Sequence, residues 1–227
     1  MNNMTNIMLD LETLGKDSNA VILSIGAVFF DPLTGETGAE FYQTVDLNDS
    51  LKYGKVDAST ITWWMKQGYD AKDIFEDELA SLLSETLLDF YTFVNLDLPA
   101  EKEGSAVVWG NGPSFDNVIL RNAYEACYEK TGLEAPWEYF NEGCVRTVVR
   151  LGKLLLNIDP KNTMTFSGTT HNALDDAKHQ VKYVSDIISK LDIPLNPRKY
   201  LPAEFSNIAS KSPSQAICAI SEVNTHG

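Results

Sequence analysis

The chain has 227 residues, 44% of them hydrophobic, enough for one sizeable α/β domain or two small ones. A formal net charge of −14 argues against a protein that wraps long duplex DNA electrostatically, although it permits a short strand end to be gripped through metal ions. No long apolar run predicts a membrane-spanning helix, "MNNMTN" lacks the marks of a secretory signal, and the three cysteines form no C-x-x-C pair. A cytoplasmic protein with reduced thiols is the expectation.

In chain order, "NIMLDLETLG" (6–15) reads as a buried β-strand, yet it carries Asp10 and Glu12. Residues two apart in a strand share a face. The two carboxylates therefore repel one another and lose solvation unless they reach solvent at a strand end or a cation lies between them. "AVILSIGAVFFD" (20–31) is a β-branched strand ended by "DPLTGE", and "AEFYQTVDL" (39–47) reads as a third strand, an antiparallel hairpin or meander with it. "DASTITWWMKQG" (57–68) predicts a short helix in which one of Trp63 and Trp64 is buried and the other lines a cleft. Phe75, Leu79, Leu82, Leu83 and Leu87 recur at helical spacing and predict one longer helix over 73–96, followed by a charged loop, "PAEKEG".

"AVVWGNG" (106–112) is another short strand, and "SFDNVILRNAYEACYEKTG" (114–132) a helix with Asp116 in its first turn, where the dipole favours an acid. "VRTVVRLGKLLL" (145–156) fits strand or helix, and "PKNTMTFSGTTHN" (160–172) a loop. "ALDDAKHQVKYVSDIISKL" (173–191) is a helix, with His171 on the loop before it and Asp176 little more than a turn inside it. The order of elements favours one mixed sheet covered by helices over residues 1–202, with a tail at 203–227 that is expected to be partly disordered. Charge is uneven: residues 70–103 are strongly acidic, whereas 144–161 set Arg146, Arg150, Lys153 and Lys161 against Asp159 alone. Those four cations either follow a phosphate backbone or form a solvated patch. No phosphate-binding loop, H-E-x-x-H zinc helix or G-x-S-x-G elbow is present.

A D-x-E on the first strand, an N-G-x-x-F-D and an H-x-A-x-x-D-A, in that order, form a specific set. It resembles the DEDDh branch of the DnaQ-like 3′–5′ exonuclease superfamily. "LDLETLG" is similar to its first motif, "WGNGPSFDNVIL" to its second and "HNALDDAKHQ" to its third, and the resemblance spans about residues 6–191. It implies an α/β, RNase H-like fold: a mixed central sheet of about five strands flanked by helices. It also implies two Mg²⁺ or Mn²⁺ ions per site held by Asp10, Glu12, Asp116 and Asp176, with Asp10 bridging them and His171 as a mobile general base. Oxygen-only ligands suit such hard cations. Family spacing from the histidine selects Asp176 over the adjacent Asp175. By the same resemblance Thr13 and Leu14 would meet the terminal nucleotide, and Phe115, as an aromatic beside a helix start, could stack on a base, against ordinary packing roles for all three. The detailed sequence is similar to phage and prophage exodeoxyribonucleases of the exonuclease A and exonuclease VIII type. Single-stranded 3′ ends, DNA before RNA, are thus the expected substrate. An exoribonuclease of the RNase T or oligoribonuclease type is the first rival, and a nucleic-acid-binding module without turnover the second. Oligomeric state is not readable.

Overall fold

Strands β1 (Asn6–Thr13), β2 (Ile22–Phe30) and β3 (Thr37–Thr44) form an antiparallel meander, and β4 (Val107–Gly110) and β5 (Glu142–Cys144) extend it in parallel from β1. The order is therefore β3-β2-β1-β4-β5, the mixed five-stranded sheet expected. The computed structural model describes residues 4–98, 105–112 and 114–195; the loop at 99–104, Cys218 and the tail from 203 lie outside the described residues. The helices are α1 (Leu47–Ser50), α2 (Ala58–Trp64), α3 (Tyr69–Lys72), α4 (Leu83–Asp97), α5 (Asp116–Thr131), α6 (Val145–Leu151), α7 (Pro160–Thr163) and α8 (Ala173–Leu195). Among the described residues no helix is long and apolar enough to cross a membrane.

Both faces of the sheet are covered, which explains why β1 and β2 read as near-continuous apolar runs. Ile7, Leu9 and Leu11 of β1 pack with Leu87, Phe90 and Val94 of α4 and Leu120 and Tyr124 of α5. Met8 faces the other way and packs with Val28, Phe30, Val145 of α6 and Val181 and Val184 of α8. Asp10 and Glu12 continue the Met8 face, so the strand that anchors the core also delivers two acids beneath the start of α8.

Two local expectations, the single helix over 73–96 and the loop at 160–172, are corrected. The single helix over 73–96 is instead a 3₁₀ turn (Asp73–Phe75), an irregular stretch, and α4. The irregular stretch pairs with the end of β3: Ser81 N–H donates to the Thr44 carbonyl at 3.1 Å and Asp46 N–H to the Ser81 carbonyl at 2.8 Å. Those edge hydrogen bonds, with the buried Asp49 carboxylate accepting the Leu83 N–H at 2.9 Å, start the helix late and leave Leu79 87% exposed. β5 is three residues long and carries no alternating pattern of its own. The loop 160–172 contains α7, begun by Pro160, whose fixed φ suits a first helical position. The ambiguous "VRTVVRLGKLLL" is helical, α6 running into a π-helical turn (Gly152–Leu156).

Candidate active site

Asp10 and Glu12 enter the site because β1 and β4 stop pairing early. Their parallel register runs only from Asn6↔Val107 to Met8↔Trp109, after which the strands part. The Leu11 N–H, without a β4 partner, donates to Asp116 Oδ1 at 3.3 Å, and the Asn111 N–H donates to Asp116 Oδ2 at 3.0 Å. Asp116 is thus fixed at the mouth of the gap by one backbone donor from each side, at the first residue of α5, and is 2% exposed. On the other flank, the β1–β2 register shifts between Glu12 and Thr13, an irregularity that ends the regular ladder beside the acids.

The third motif arrives on α8. Asn172 begins the helix by accepting the Leu174 and Asp175 N–H groups on its Oδ1. The helix can start this close to the sheet because position 26 is glycine: a Cβ there would lie 2.2 Å from the Ala173 carbonyl carbon and the Leu174 nitrogen. His171 sits just before it at φ 64°, a left-handed conformation few non-glycine residues adopt. Its N–H donates to Asp176 Oδ2 at 3.1 Å. Glu12, His171 and Asp176 bring one ligand atom each within 4.8 Å of one another. Asp175 turns elsewhere and accepts the Thr169 N–H at 2.8 Å, so of the two neighbouring acids only Asp176 joins this group.

Rather than hanging free on its loop, His171 is packed. Its ring lies edge-on to Trp63 at 4.8 Å and to Trp64 at 6.0 Å between centroids. Trp64 is buried and donates Nε1–H to the Thr13 carbonyl at 2.9 Å, while Trp63 is 41% exposed, the division expected of the pair. Helix α2 therefore holds both the end of β1 and the histidine. Gln180, one turn beyond Asp176, donates Nε2–H to Asp10 Oδ1 at 2.7 Å and is buried. Sequence reasoning gave Gln180 no role; its four-residue spacing from Asp176, one helical turn, was the available signal.

Electrostatics register how close the acids lie. Burial, then the charges of Asp116, Glu12 and Asp176, push the Asp10 carboxyl well above its ordinary value. Burial and the charges of Asp176 and Asp116 raise Glu12 to about 8. Burial raises Asp116 to about 6 against the pull of its backbone donors and of Arg146. Asp176 is raised by burial despite His171 beside it. Such a set favours protons or a cation over four bare carboxylates.

The remaining predicted residues lie apart from this group. The Thr13 hydroxyl donates to the Gly15 carbonyl at 2.8 Å. Leu14 is buried with Val21, Leu23 and Trp64, and lines an apolar hollow of about 450 Å³ with Ile61, Met65 and Phe75. Phe115 packs against the α4–α5 core.

Comparison with known proteins agrees with this geometry. Residues 5–188 match the family model of the 3′-5′ exoribonuclease Rv2179c-like domain. An exodeoxyribonuclease of Enterobacteria phage T4 is 25% identical over 205 residues, covering 78% of this chain and 86% of that protein. The nuclease domain of 3′hExo, a DEDDh family member bound to rAMP, superposes with a TM-score of 0.53 at 14% identity, over 83% of this chain and 94% of that one. Pop2p of S. pombe, in a Mg²⁺- and Mn²⁺-bound form, gives 0.54 at 15% identity over 82% and 83%. These two share the RNase H-like fold with this protein. The chain belongs to the Rv2179c-like 3′-5′ exoribonuclease domain family and is a 3′–5′ exonuclease of DnaQ-like type.

Proposed function

We propose that this exonuclease is a metal-dependent exodeoxyribonuclease, removing nucleoside 5′-monophosphates one at a time from single-stranded or frayed 3′ ends. The observation that carries the reading is the convergence of Glu12, His171 and Asp176 within 4.8 Å, beside Asp10 and Asp116. The donor set fits a pair of hard divalent cations: four oxygen ligands whose mutual repulsion a cation relieves. Asp10, Glu12, Asp116 and Asp176 would hold Mg²⁺ or Mn²⁺, which when bound supply charge stabilisation to the phosphoryl group and acidify water.

The chain's own residues do the rest. In hydrolysis a water oxygen bonds to phosphorus, the bond from phosphorus to the 3′-oxygen of the preceding nucleotide breaks, and that oxygen takes up a proton. His171 would accept the proton that the attacking water loses. Asp176 holds the His171 backbone in place, and Trp63 and Trp64 confine its ring. Gln180 orients Asp10, and two backbone donors orient Asp116.

DNA is the proposed substrate because the phage T4 relative is an exodeoxyribonuclease. The family description favours RNA as the second reading. Matched 5′-labelled DNA and RNA oligonucleotides, incubated with Mg²⁺ or Mn²⁺, decide between them. Stepwise 3′ shortening is expected for DNA, lost in Asp10→Ala and reduced about 10²–10⁴-fold in His171→Ala. Faster loss of RNA would transfer the proposal to the exoribonuclease reading, and intact strands of both kinds with folded protein and metal would overturn it.

A further inference from the structure

The basic stretch at 144–161 does not act as one patch. Lys153 is paired with Asp159 at 2.8 Å, and Arg150 and Lys161 sit, like Arg146, on exposed helical positions. Arg146 differs in where it lies. It is the second residue of α6, directly after β5, and its guanidinium covers Gly112 in the turn that leads to Asp116. A Cβ on Gly112 would stand 3.1 Å from Arg146 Cζ and 3.3 Å from Nε and Nη1. Gly112 has φ 123°, a conformation that glycine alone adopts easily, so one residue both makes the turn and leaves the floor on which the guanidinium lies.

Arg146 has nevertheless no partner that the described residues supply. Among the described residues it makes neither an ion pair nor a side-chain hydrogen bond, whereas Arg121 of α5 is bound to both Glu142 and the Trp137 carbonyl. Its field reaches the site and pulls the Asp116 carboxyl downward. Among the described residues no hydrogen bond or ion pair joins the two groups, and Asp116 instead accepts the backbone N–H groups of Leu11 and Asn111. A planar fork of donors is thus held at the rim of an otherwise acidic site, with its capacity unspent. The group that satisfies a guanidinium in this setting is an anion with two or more oxygens, and a strand whose end enters the site carries such a group at every nucleotide.

We propose that Arg146 is a phosphate anchor, donating to the non-bridging oxygens of a backbone phosphate in the substrate strand while Gly112 aims it. The inference rests on the nuclease reading and narrows it: of the four cations in the basic stretch, this one engages the strand. Arg146 compensates locally for a protein whose net charge of −14 opposes nucleic acid at long range.

The test has a turnover arm and a binding arm. Turnover of a single-stranded oligonucleotide is followed in wild type, Arg146→Ala, Arg146→Lys and Arg150→Ala over a range of salt. Binding of the same fluorescent strand in Ca²⁺ is followed by anisotropy in His171→Ala with and without Arg146→Ala. Arg146→Ala should lower kcat/KM about ten- to hundredfold, chiefly through KM, as expected for one charge-assisted contact. Its log–log salt slope should become shallower by about 0.7, the value for one phosphate on a single strand. Arg146→Lys should recover part of the loss and Arg150→Ala should resemble wild type.

If wild type degrades the strand and Arg146→Ala keeps its kcat/KM and slope, the anchor is overturned and the nuclease reading survives. A lower melting temperature with an unchanged slope overturns it equally, making Arg146 a counter-charge for Asp116. If wild type degrades neither DNA nor RNA but the His171→Ala protein binds with an Arg146-dependent slope, the anchor stands and the nuclease reading falls. Absence of both turnover and binding overturns both.

Discussion

Gly26→Ala puts the packing of the site to a quantitative test. In isolation the change should help, since glycine inside a strand costs roughly 0.5–1 kcal/mol relative to alanine. The added Cβ, however, falls 2.2 Å from the backbone of Ala173 and Leu174, and an ordinary contact needs about 3.4 Å. Neither neighbour is a flexible side-chain end, so strand and helix must separate by about 1.2 Å. Overpacking of this kind costs about 1–3 kcal/mol, or a melting temperature about 2–12 °C lower for a domain of this size. Catalysis should suffer more, because Asp176 and His171 ride on the displaced helix start while Asp10 and Glu12 stay on the sheet. A misplacement near 1 Å costs on the order of 10²-fold in rate. Thermal unfolding by circular dichroism and kcat on a labelled oligonucleotide would be measured beside Gly68→Ala, where a new Cβ meets nothing within 4 Å. Activity within threefold of wild type in Gly26→Ala, with an unchanged or higher melting temperature, would refute the claim that this close approach assembles the site.

Glu12 sets a pH dependence with a definite sign. Burial and the charges of Asp176 and Asp116 raise its pKa from 4.5 to about 8, so the folded protein keeps a proton that the unfolded chain releases. Its contribution is complete below about pH 4.5 and is lost as pH rises toward 8. In EDTA the melting temperature should therefore fall across that window, Glu12→Gln should flatten the fall, and Mn²⁺ should reverse it; identical profiles for the two proteins in EDTA would contradict the assignment. Gln180→Leu removes the donor at 2.7 Å from Asp10 and should raise the Mn²⁺ concentration for half-maximal activity about 10–100-fold, with activity regained at high metal. A variant with an unchanged metal requirement would show that the amide does not orient Asp10.

What was legible in the sequence follows from what short-range patterns encode. Asp10 and Glu12 stood out because a period of two forces them onto one face of a strand that is otherwise apolar. Asp116 and Asp176 were visible as acids near helix starts, and their combination with His171 in a fixed order carried the family resemblance. The splitting of the predicted helix over 73–96 was not visible, because its causes lie elsewhere in the chain. Asp49 of α1 binds the Leu83 N–H, and the edge of β3 captures Ser81, both across more than thirty residues. Helical spacing of apolar residues continues through that stretch, but the carbonyls and N–H groups are claimed by other elements.

The same distinction separates the ligands of the site from what holds them. A carboxylate facing a core announces itself by its cost, so a chain retains it only where something repays the desolvation. Supporting residues carry no such mark. Gly26, Gln180 and Trp64 are ordinary in a strand, a helix and an aromatic pair, and each becomes informative only when its partner across the fold is known: the Ala173–Leu174 backbone, Asp10 and the Thr13 carbonyl. Arg146 is the intermediate case. Its charge was evident, but the sequence could not distinguish it from Lys153 until the fold gave one of them an acid and the other a glycine floor. Charge in a sequence identifies which groups can meet a phosphate, and the fold identifies which of them an acid has claimed and which stands beside the turn that leads into the site.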